Sequence, residues 1–267
     1  MNSLNYFFAK HGFLSFLLVE LIYGGFFTLI FIYLGAPLWL IIFYNLIFLL
    51  VAWASQNAAI GRILKPAVNA INNGCDPYPM IDCCEKLLSY KTDKNIRLNL
   101  VLYLSTALTS TGKIQEALKT VEDINIDASP AFTYDQKVLY YYYLSSFYYQ
   151  LGFLDKGDFS KEKFEKLASG LKNQKKREFT ENISCALNAR ACYAYEDYEK
   201  ALEWRLKFSA IHQRHEVEMA FFEAETRLKL GDADNAKKNL IFVIQNGNRL
   251  AHVNMARELM AQTEKGA

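Results

Sequence analysis

The chain has 267 residues, enough for one or two domains with a proper core, which excludes a disulfide-stapled miniprotein. Thirty Lys and Arg against twenty-eight Asp and Glu leave a formal charge of +2, too near balance for an electrostatic affinity for nucleic acid. The hydrophobic content of 52% is unevenly spread, because residues 12–56 carry a single charged side chain, Glu20.

Two apolar runs fill that stretch. From Phe13 to Leu34, fifteen of twenty-two residues are Leu, Ile, Val or Phe, which as a helix spans roughly 33 Å. The second run, Pro37 to Ser55, spans roughly 28 Å. Gly35-Ala36-Pro37 between them is a turn signal, with Pro suited to a first helical position. The expectation is a transmembrane helical hairpin over residues 1–57, with both chain ends on one side of the bilayer. Lys10, Arg62 and Lys65 flank the runs while Leu34 to Leu38 holds no Lys or Arg, so both ends are expected on the cytoplasmic side of the cell membrane. A cleaved signal peptide is the competing interpretation of the first run; the run is longer than a usual h-region and no A-x-A site follows.

Glu20 and Asn45 are the intramembrane polar residues this arrangement implies. A carboxylate at helix centre costs about 2.5–3.5 kcal/mol, whereas the fifteen large apolar residues together contribute about 4–9 kcal/mol, so insertion is favourable without a function for Glu20. A structural or oligomer-specifying role is weighed above a proton or ion relay, since Glu20 and Asn45 alone draw no path.

After Asn57 apolar residues recur at three and four spacing with no sustained two-residue alternation, so residues 58–267 are expected to be all helical. The last 137 residues contain no proline, which suits helices joined by short turns. Those turns repeat. Gly112-Lys113 follows Tyr103 to Ala107 and precedes Glu116-Ala117-Leu118; Gly152 follows Tyr143 to Phe147; Tyr198 to Leu202 follows Ala189 and Cys192; Gly231-Asp232 follows Phe222 to Ala224. Five residues after each turn position stands a small residue, Ala117, Gly157, Ala201 or Ala236, which lets two antiparallel helices approach closely. Four further on, Val121 and Leu240 fill the space between neighbouring pairs, where the third unit has Arg205.

These units resemble tetratricopeptide repeats, on phrases such as Gly112-Lys-Ile-Gln-Glu-Ala117-Leu118 and Asp197-Tyr-Glu-Lys-Ala201-Leu202. The resemblance covers about residues 94–250, with a degenerate earlier unit pairing Ala58 to Asn73 with Pro79 to Tyr90, and a polar terminal cap from Asn248 to Thr263. It departs from the family in its spacings of 40, 44 and 35 residues, and in lacking the Trp-Leu-Gly start and the closing Pro. It implies an all-α fold, a solenoid behind the N-terminal hairpin, in which the first helix of each pair lines a concave groove for a protein or peptide partner. The groove positions it assigns are Asn99, Leu102, Thr106, Tyr142 and Ser146, followed by Tyr149, Arg190, Tyr193, Phe221 and Glu225. Tyr and Arg at such positions suit a peptide surface, since both are enriched at binding hot spots. In the run Tyr140 to Tyr143, four consecutive rings cannot share one helix face, so some point outward or pack on a neighbouring irregular helix.

Enzymatic signatures are missing from the sequence: it has no Gly-rich phosphate loop, no G-x-S-x-G elbow and no Cys-His or paired-carboxylate motif. The five cysteines, Cys75, Cys83, Cys84, Cys185 and Cys192, lack the spacing of a zinc site and are expected as small buried side chains. His212 and His215 are expected as a surface pair near a turn. Lys172, Lys175, Lys176 and Arg177 form a basic cluster, either a solvated loop or a contact for anionic lipid. The expected activity is that of a non-enzymatic membrane-anchored adaptor or scaffold that binds a protein partner in its cytosolic groove without a cofactor or metal. The alternative is an oligomeric transport or sensing unit that uses Glu20 and Asn45, with the solenoid as its regulatory domain.

Overall fold

The structure is a computed structural model and describes residues 6, 9–10, 20–90, 93–127 and 132–265, excepting the side chains of 20, 48–57, 264 and 265. Every regular element among them is helical. The chain forms two compact units, Met1–Ala67 with Ser89–Lys91, and Val68–Leu88 with Thr92–Ala267.

In the first unit a single π-helical turn, Glu20–Gly24, leads into helix α1, Gly25–Tyr33. Gly35 takes a left-handed φ of +68°, available to it without a Cβ, and the chain reverses into α2, Leu38–Gly74. Asn45 Nδ2 donates to Thr28 Oγ1 at 3.3 Å and to the Ile41 carbonyl at 2.8 Å. The Tyr44 ring sits 5.7 and 5.4 Å from Phe27 and Phe31, so the two arms meet through side chains. Residues 13–19 of the first apolar run lie outside the described residues, as does the Glu20 side chain. No helix among the described residues is long and apolar enough to cross a membrane. Helix α2 also runs unbroken through residues 57 and 58, where composition alone suggested a boundary, because Ser55 to Asn57 holds no helix breaker.

The second unit starts within the last turns of α2 and continues with α3 (Tyr78–Leu88), α4 (Lys94–Ser110), α5 (Ile114–Glu122), α6 (Tyr134–Gln150) and α7 (Leu154–Ser169). Then come α8 (Gln174–Ala194), α9 (Tyr198–Lys207), α10 (Gln213–Lys229), α11 (Ala233–Asn246) and α12 (Ala251–Lys265). Helices α4–α5, α6–α7, α8–α9 and α10–α11 form four consecutive pairs; α3 packs along α4 and α12 along α11.

All four pairs turn by the same device. The residues after the C-caps, Gly112, Gly152, Glu196 and Gly231, have φ of +84°, +77°, +61° and +79°. One residue later an amide reaches back over the last helical turn, Lys113 to Leu108, Phe153 to Tyr148, Asp197 to Cys192 and Asp232 to Arg227, each at 2.9 Å. In the last two turns the same aspartate side chain caps the next helix, Asp197 at the Lys200 amide and Asp232 at the Asn235 amide. Ala117, Ala201 and Ala236 are fully buried and Gly157 is buried with them. A Cβ on Gly157 would meet the Tyr149 ring at 2.7 Å. Arg205, the exception between pairs, keeps its place by bonding: its Nε donates to the Met219 carbonyl at 3.0 Å and its guanidinium lies 3.5 Å from Glu223, which ties α9 to α10.

The stack curves until its end meets its beginning. Ser110 Oγ on α4 donates to Glu218 on α10 at 3.0 Å. Asn248 Nδ2 donates to the Gly74 carbonyl at 2.6 Å, and Arg249 pairs with Asp76 at 3.1 Å while lying over the Tyr78 ring. Cys75 is buried in one cluster with Val217, Phe221 and Ala256.

Gly157→Ala should cost about 1–3 kcal/mol, since the Tyr149 ring must move to admit a methyl group. Glu196→Gly should stabilise the fold by about 1 kcal/mol by relieving a side chain held at positive φ. Urea denaturation of the two variants beside the parent measures both.

Candidate functional site

The inner faces of the paired helices enclose a cavity of about 1050 Å³ within the second unit. Helical periodicity sets which side chains reach it. On α6 they are Leu139, Tyr142, Tyr143, Ser146 and Gln150; on α8, Phe179, Ile183, Ala186, Arg190 and Tyr193; on α10, Arg214, Glu218, Phe221, Glu225 and Lys229. Each set steps mainly by three or four residues, one stripe along one helix. The terminal helix adds His252 and Met255, and the other side adds Ile71, Met80 and Thr106.

Two groups of charged side chains stand on this wall, and they differ in how they are satisfied. In the first, Arg214 Nη1 lies 2.9 Å from both oxygens of Glu218, with the two side chains only 10% and 12% exposed. Ser110 adds a further donor to Glu218, and Arg214 Nη2 donates to His215 Nε2 at 2.9 Å. Burial alone would raise the Glu218 carboxyl, but Arg214, with help from His252 and His215, holds it down at about 2. His215 is driven to about 4 by burial and by the adjacent guanidinium, so it is neutral at physiological pH. Because Arg214 can only donate, His215 Nε2 is the acceptor and its proton resides on Nδ1. Burial likewise lowers His252, whose ring stacks edge-on against Phe221 at 5.0 Å.

The second group is Arg190 and Glu225. The Arg190 guanidinium lies 5.9 Å from the centre of the Phe222 ring and makes no hydrogen bond or ion pair to a described residue. Glu225, on the same wall, is pushed up to about 7 by burial, against the pull of Arg190 and Lys229. Around them stand Tyr193, 5.4 Å from Phe222 and 5.3 Å from Tyr198, and Tyr142, whose hydroxyl burial raises to about 12 despite Arg190. A guanidinium with open donors between aromatic rings suits a planar anion such as a carboxylate.

Of the groove positions assigned from sequence, Thr106, Tyr142, Ser146, Tyr149, Arg190, Tyr193, Phe221 and Glu225 line this cavity. Asn99 and Leu102 do not. Asn99 accepts from Gln136 at 3.0 Å and so ties α4 to α6, and Leu102 is buried in the core. Tyr149 divides its role, since its ring covers Gly157 and its hydroxyl donates to Asp158 at 2.6 Å. His212 and His215 do stand together, ring centroids 5.5 Å apart, but half-buried against Phe208 at the cavity wall and not on open surface. Arg214 and Glu218 were missed by sequence reasoning. Their i,i+4 spacing on a face shared with Phe221 and Phe222 is the signal that could have found them.

Elsewhere, Cys75, Cys83 and Cys84 are buried and Cys185 and Cys192 half-buried, none of the five in a disulfide. Burial raises the Cys75 thiol to about 11 and Cys84 further still, which makes both poor nucleophiles. Lys176 of the basic cluster pairs with Asp135 on α6. Among the described residues no three His, Cys, Asp or Glu side chains are grouped to hold a metal ion. Asn45 is satisfied within its own hairpin, and the Glu20 side chain lies outside the described residues. Comparison of the chain with family models, curated proteins and solved structures returns no match.

Arg214→Met should destabilise the protein by about 3–5 kcal/mol by stranding the Glu218 carboxylate, while the double change to Met at both positions should cost far less; thermal and chemical denaturation of the three proteins measure this. For Glu225 the folded state holds its proton up to about pH 7 whereas the unfolded chain releases it near 4.5, so this group lowers stability as pH rises across that window. Glu225→Gln should remove that decline and be more stable than the parent by about 1–3 kcal/mol above pH 7. Equal pH slopes for parent and variant would contradict it.

Proposed function

We propose that this chain is a binding protein, not an enzyme, and that the curved helical stack holds a segment of another polypeptide along its inner face. The observation that carries the proposal is Arg190, a half-buried guanidinium with its donors uncommitted, facing an aromatic-walled cavity. Open guanidinium donors on a cavity wall can pair an incoming carboxylate without breaking any hydrogen bond of the fold. The dimensions fit. From Phe179 to Ala194 the lining follows α8 for roughly 22 Å, which an extended segment of about seven residues covers. Tyr142, Tyr193 and Phe222 offer rings of the kind that dominate peptide-binding hot spots.

Resemblance to tetratricopeptide repeats supports the same role, as do the four identical turns and the small buried residues behind them. For the N-terminal hairpin we propose a membrane anchor with both chain ends on the cytoplasmic side of the cell membrane. Its support is an exposed apolar surface: Leu21, Phe26, Leu29, Tyr33, Leu38 and Trp39 are between 60 and 90% exposed. Tyr33 and Trp39 flank the uncharged turn, where amphipathic rings favour a membrane interface. A transport role through Glu20 and Asn45 finds no support in the bonding of Asn45, and pairing between hairpins remains an extension of the anchor.

A random twelve-residue peptide library presented to the purified full chain tests the proposal. Peptides should be retained, and Tyr142→Ala should weaken them at least tenfold when measured well below its own melting midpoint, which loss of a ring packed 6.1 Å from Phe164 lowers. Deleting residues 1–57 should release the protein from membranes without loss of peptide binding. A library that yields no peptide sensitive to Tyr142→Ala would refute the binding role, and a deleted form that stays with membranes would refute the anchor.

A further inference from the structure

Most acidic side chains of α10 are matched by the fold or by water. Glu218 is held by Arg214, Glu223 by Arg227 and Arg205, and Glu216 is exposed. Glu225 differs from all three. It is half-buried on the cavity wall, with neither a hydrogen bond nor an ion pair to a described residue. Arg190, across from it on α8, is equally uncommitted. Its guanidinium lies 5.9 Å from the centre of the Phe222 ring, and Phe222 stands three residues before Glu225, one turn along the same helix. Of the two cations that act on the Glu225 carboxyl, Arg190 is the stronger.

A cation and a carboxyl on neighbouring inner helices thus face one cavity, within reach of each other's field, and do not close on each other. A ligand that is only an anion meets repulsion from Glu225, and one that is only a cation meets it from Arg190. A molecule carrying both charges satisfies the two at once, its carboxylate taking the guanidinium donors and its ammonium donating to the carboxylate. Rings complete the site. Tyr193 stands near Glu225, whose charge adds to burial in raising the Tyr193 hydroxyl to about 12, and Tyr142 lies within the influence of Arg190. An ammonium seated at Glu225 gains cation–π attraction from the Tyr193 ring, and Phe222 and Tyr142 offer edges and faces to a further ring. Entry requires no opening of the fold, because Lys229, one turn beyond Glu225 on the same wall, is exposed.

We infer that Arg190 and Glu225 form a site for a free aromatic amino acid, its carboxylate on the guanidinium, its ammonium on the Glu225 carboxylate and its ring among Tyr142, Tyr193 and Phe222. This goes beyond the peptide-binding role and needs only these side chains. An amino acid held at Arg190 excludes a peptide from the same guanidinium, so the small molecule and the peptide compete.

The test is calorimetric titration of the purified full chain with phenylalanine, tyrosine and tryptophan, and with alanine for comparison, at about pH 8, where Glu225 is ionised. At least one aromatic amino acid should bind tenfold or more tighter than alanine. Its N-acetyl form, which lacks the ammonium, and its carboxamide, which lacks the carboxylate, should each bind at least tenfold more weakly. In Arg190→Gln the free acid and the carboxamide should bind alike, and in Glu225→Gln the free amine and the N-acetyl form should bind alike. Neither side chain has a bond to the fold to lose, so both variants should keep the parent's helical circular dichroism, and that measurement accompanies them. Failure of all three aromatic amino acids to bind, or alanine binding as tightly, overturns the ligand class. Blocked forms that bind as tightly as the free amino acid overturn the bridge between the two charges, and discrimination that persists unchanged in both variants overturns its location. None of these outcomes depends on a peptide having been found, so the peptide-binding role stands or falls on its own test.

Discussion

Close approach of two antiparallel helices is the constraint on which the large unit depends. A helix pair joined by a short turn can sit close only if the turn residue tolerates positive φ and the first rung of the second helix that faces its partner carries almost no side chain. Gly112, Gly152 and Gly231 meet the first condition, and Ala117, Gly157, Ala201 and Ala236 the second. Once these contacts form, the larger residues have nowhere to go but the gaps between pairs, where Val121 and Leu240 are fully buried. Stacking of the four pairs in turn brings Ser110 of the first pair to Glu218 of the fourth.

That rule was legible in the sequence because it is local. Turn residue, small residue and gap-filling residue lie within ten positions of one another, and the resemblance to tetratricopeptide repeats then assigns Tyr142, Ser146, Arg190 and Tyr193 to the inner face. What the sequence hid depends on contacts far along the chain. The residues joined at the seam are separated by 108 and 174 positions. Nothing near Asn248 or Gly74 announces that they meet. Template positions also fail where a specific neighbour claims them: Asn99 stands where a groove residue belongs, but Gln136 from the next pair reaches it first.

The N-terminal region shows a different limit. Composition changes sharply near residue 57, yet helix α2 continues to Gly74. Hydrophobicity reports the solvent a helix faces, whereas continuity of the backbone depends on propensity and the absence of breakers, and the two signals need not end at the same residue. Even Pro66 is accommodated inside α2.

Two arginines on the inner wall make the final distinction. Arg214 and Arg190 occupy neighbouring helices and face one cavity, but Arg214 has a carboxylate, a histidine and a hydroxyl-supported network around it, whereas Arg190 has only rings and a carboxyl that burial pushes toward neutrality. A buried cation paired by the fold, though Arg214 Nε itself has no hydrogen-bond partner, contributes to holding that fold in one arrangement, and removing its counter-ion is costly. A half-buried cation whose donors are left open contributes nothing comparable to the folded state, and the seam, the turns and the small-residue contacts are independent of Arg190. The consequence is a separation along the same cavity: the α10 network ties helices together, and the α8 guanidinium keeps its donors open to the cavity.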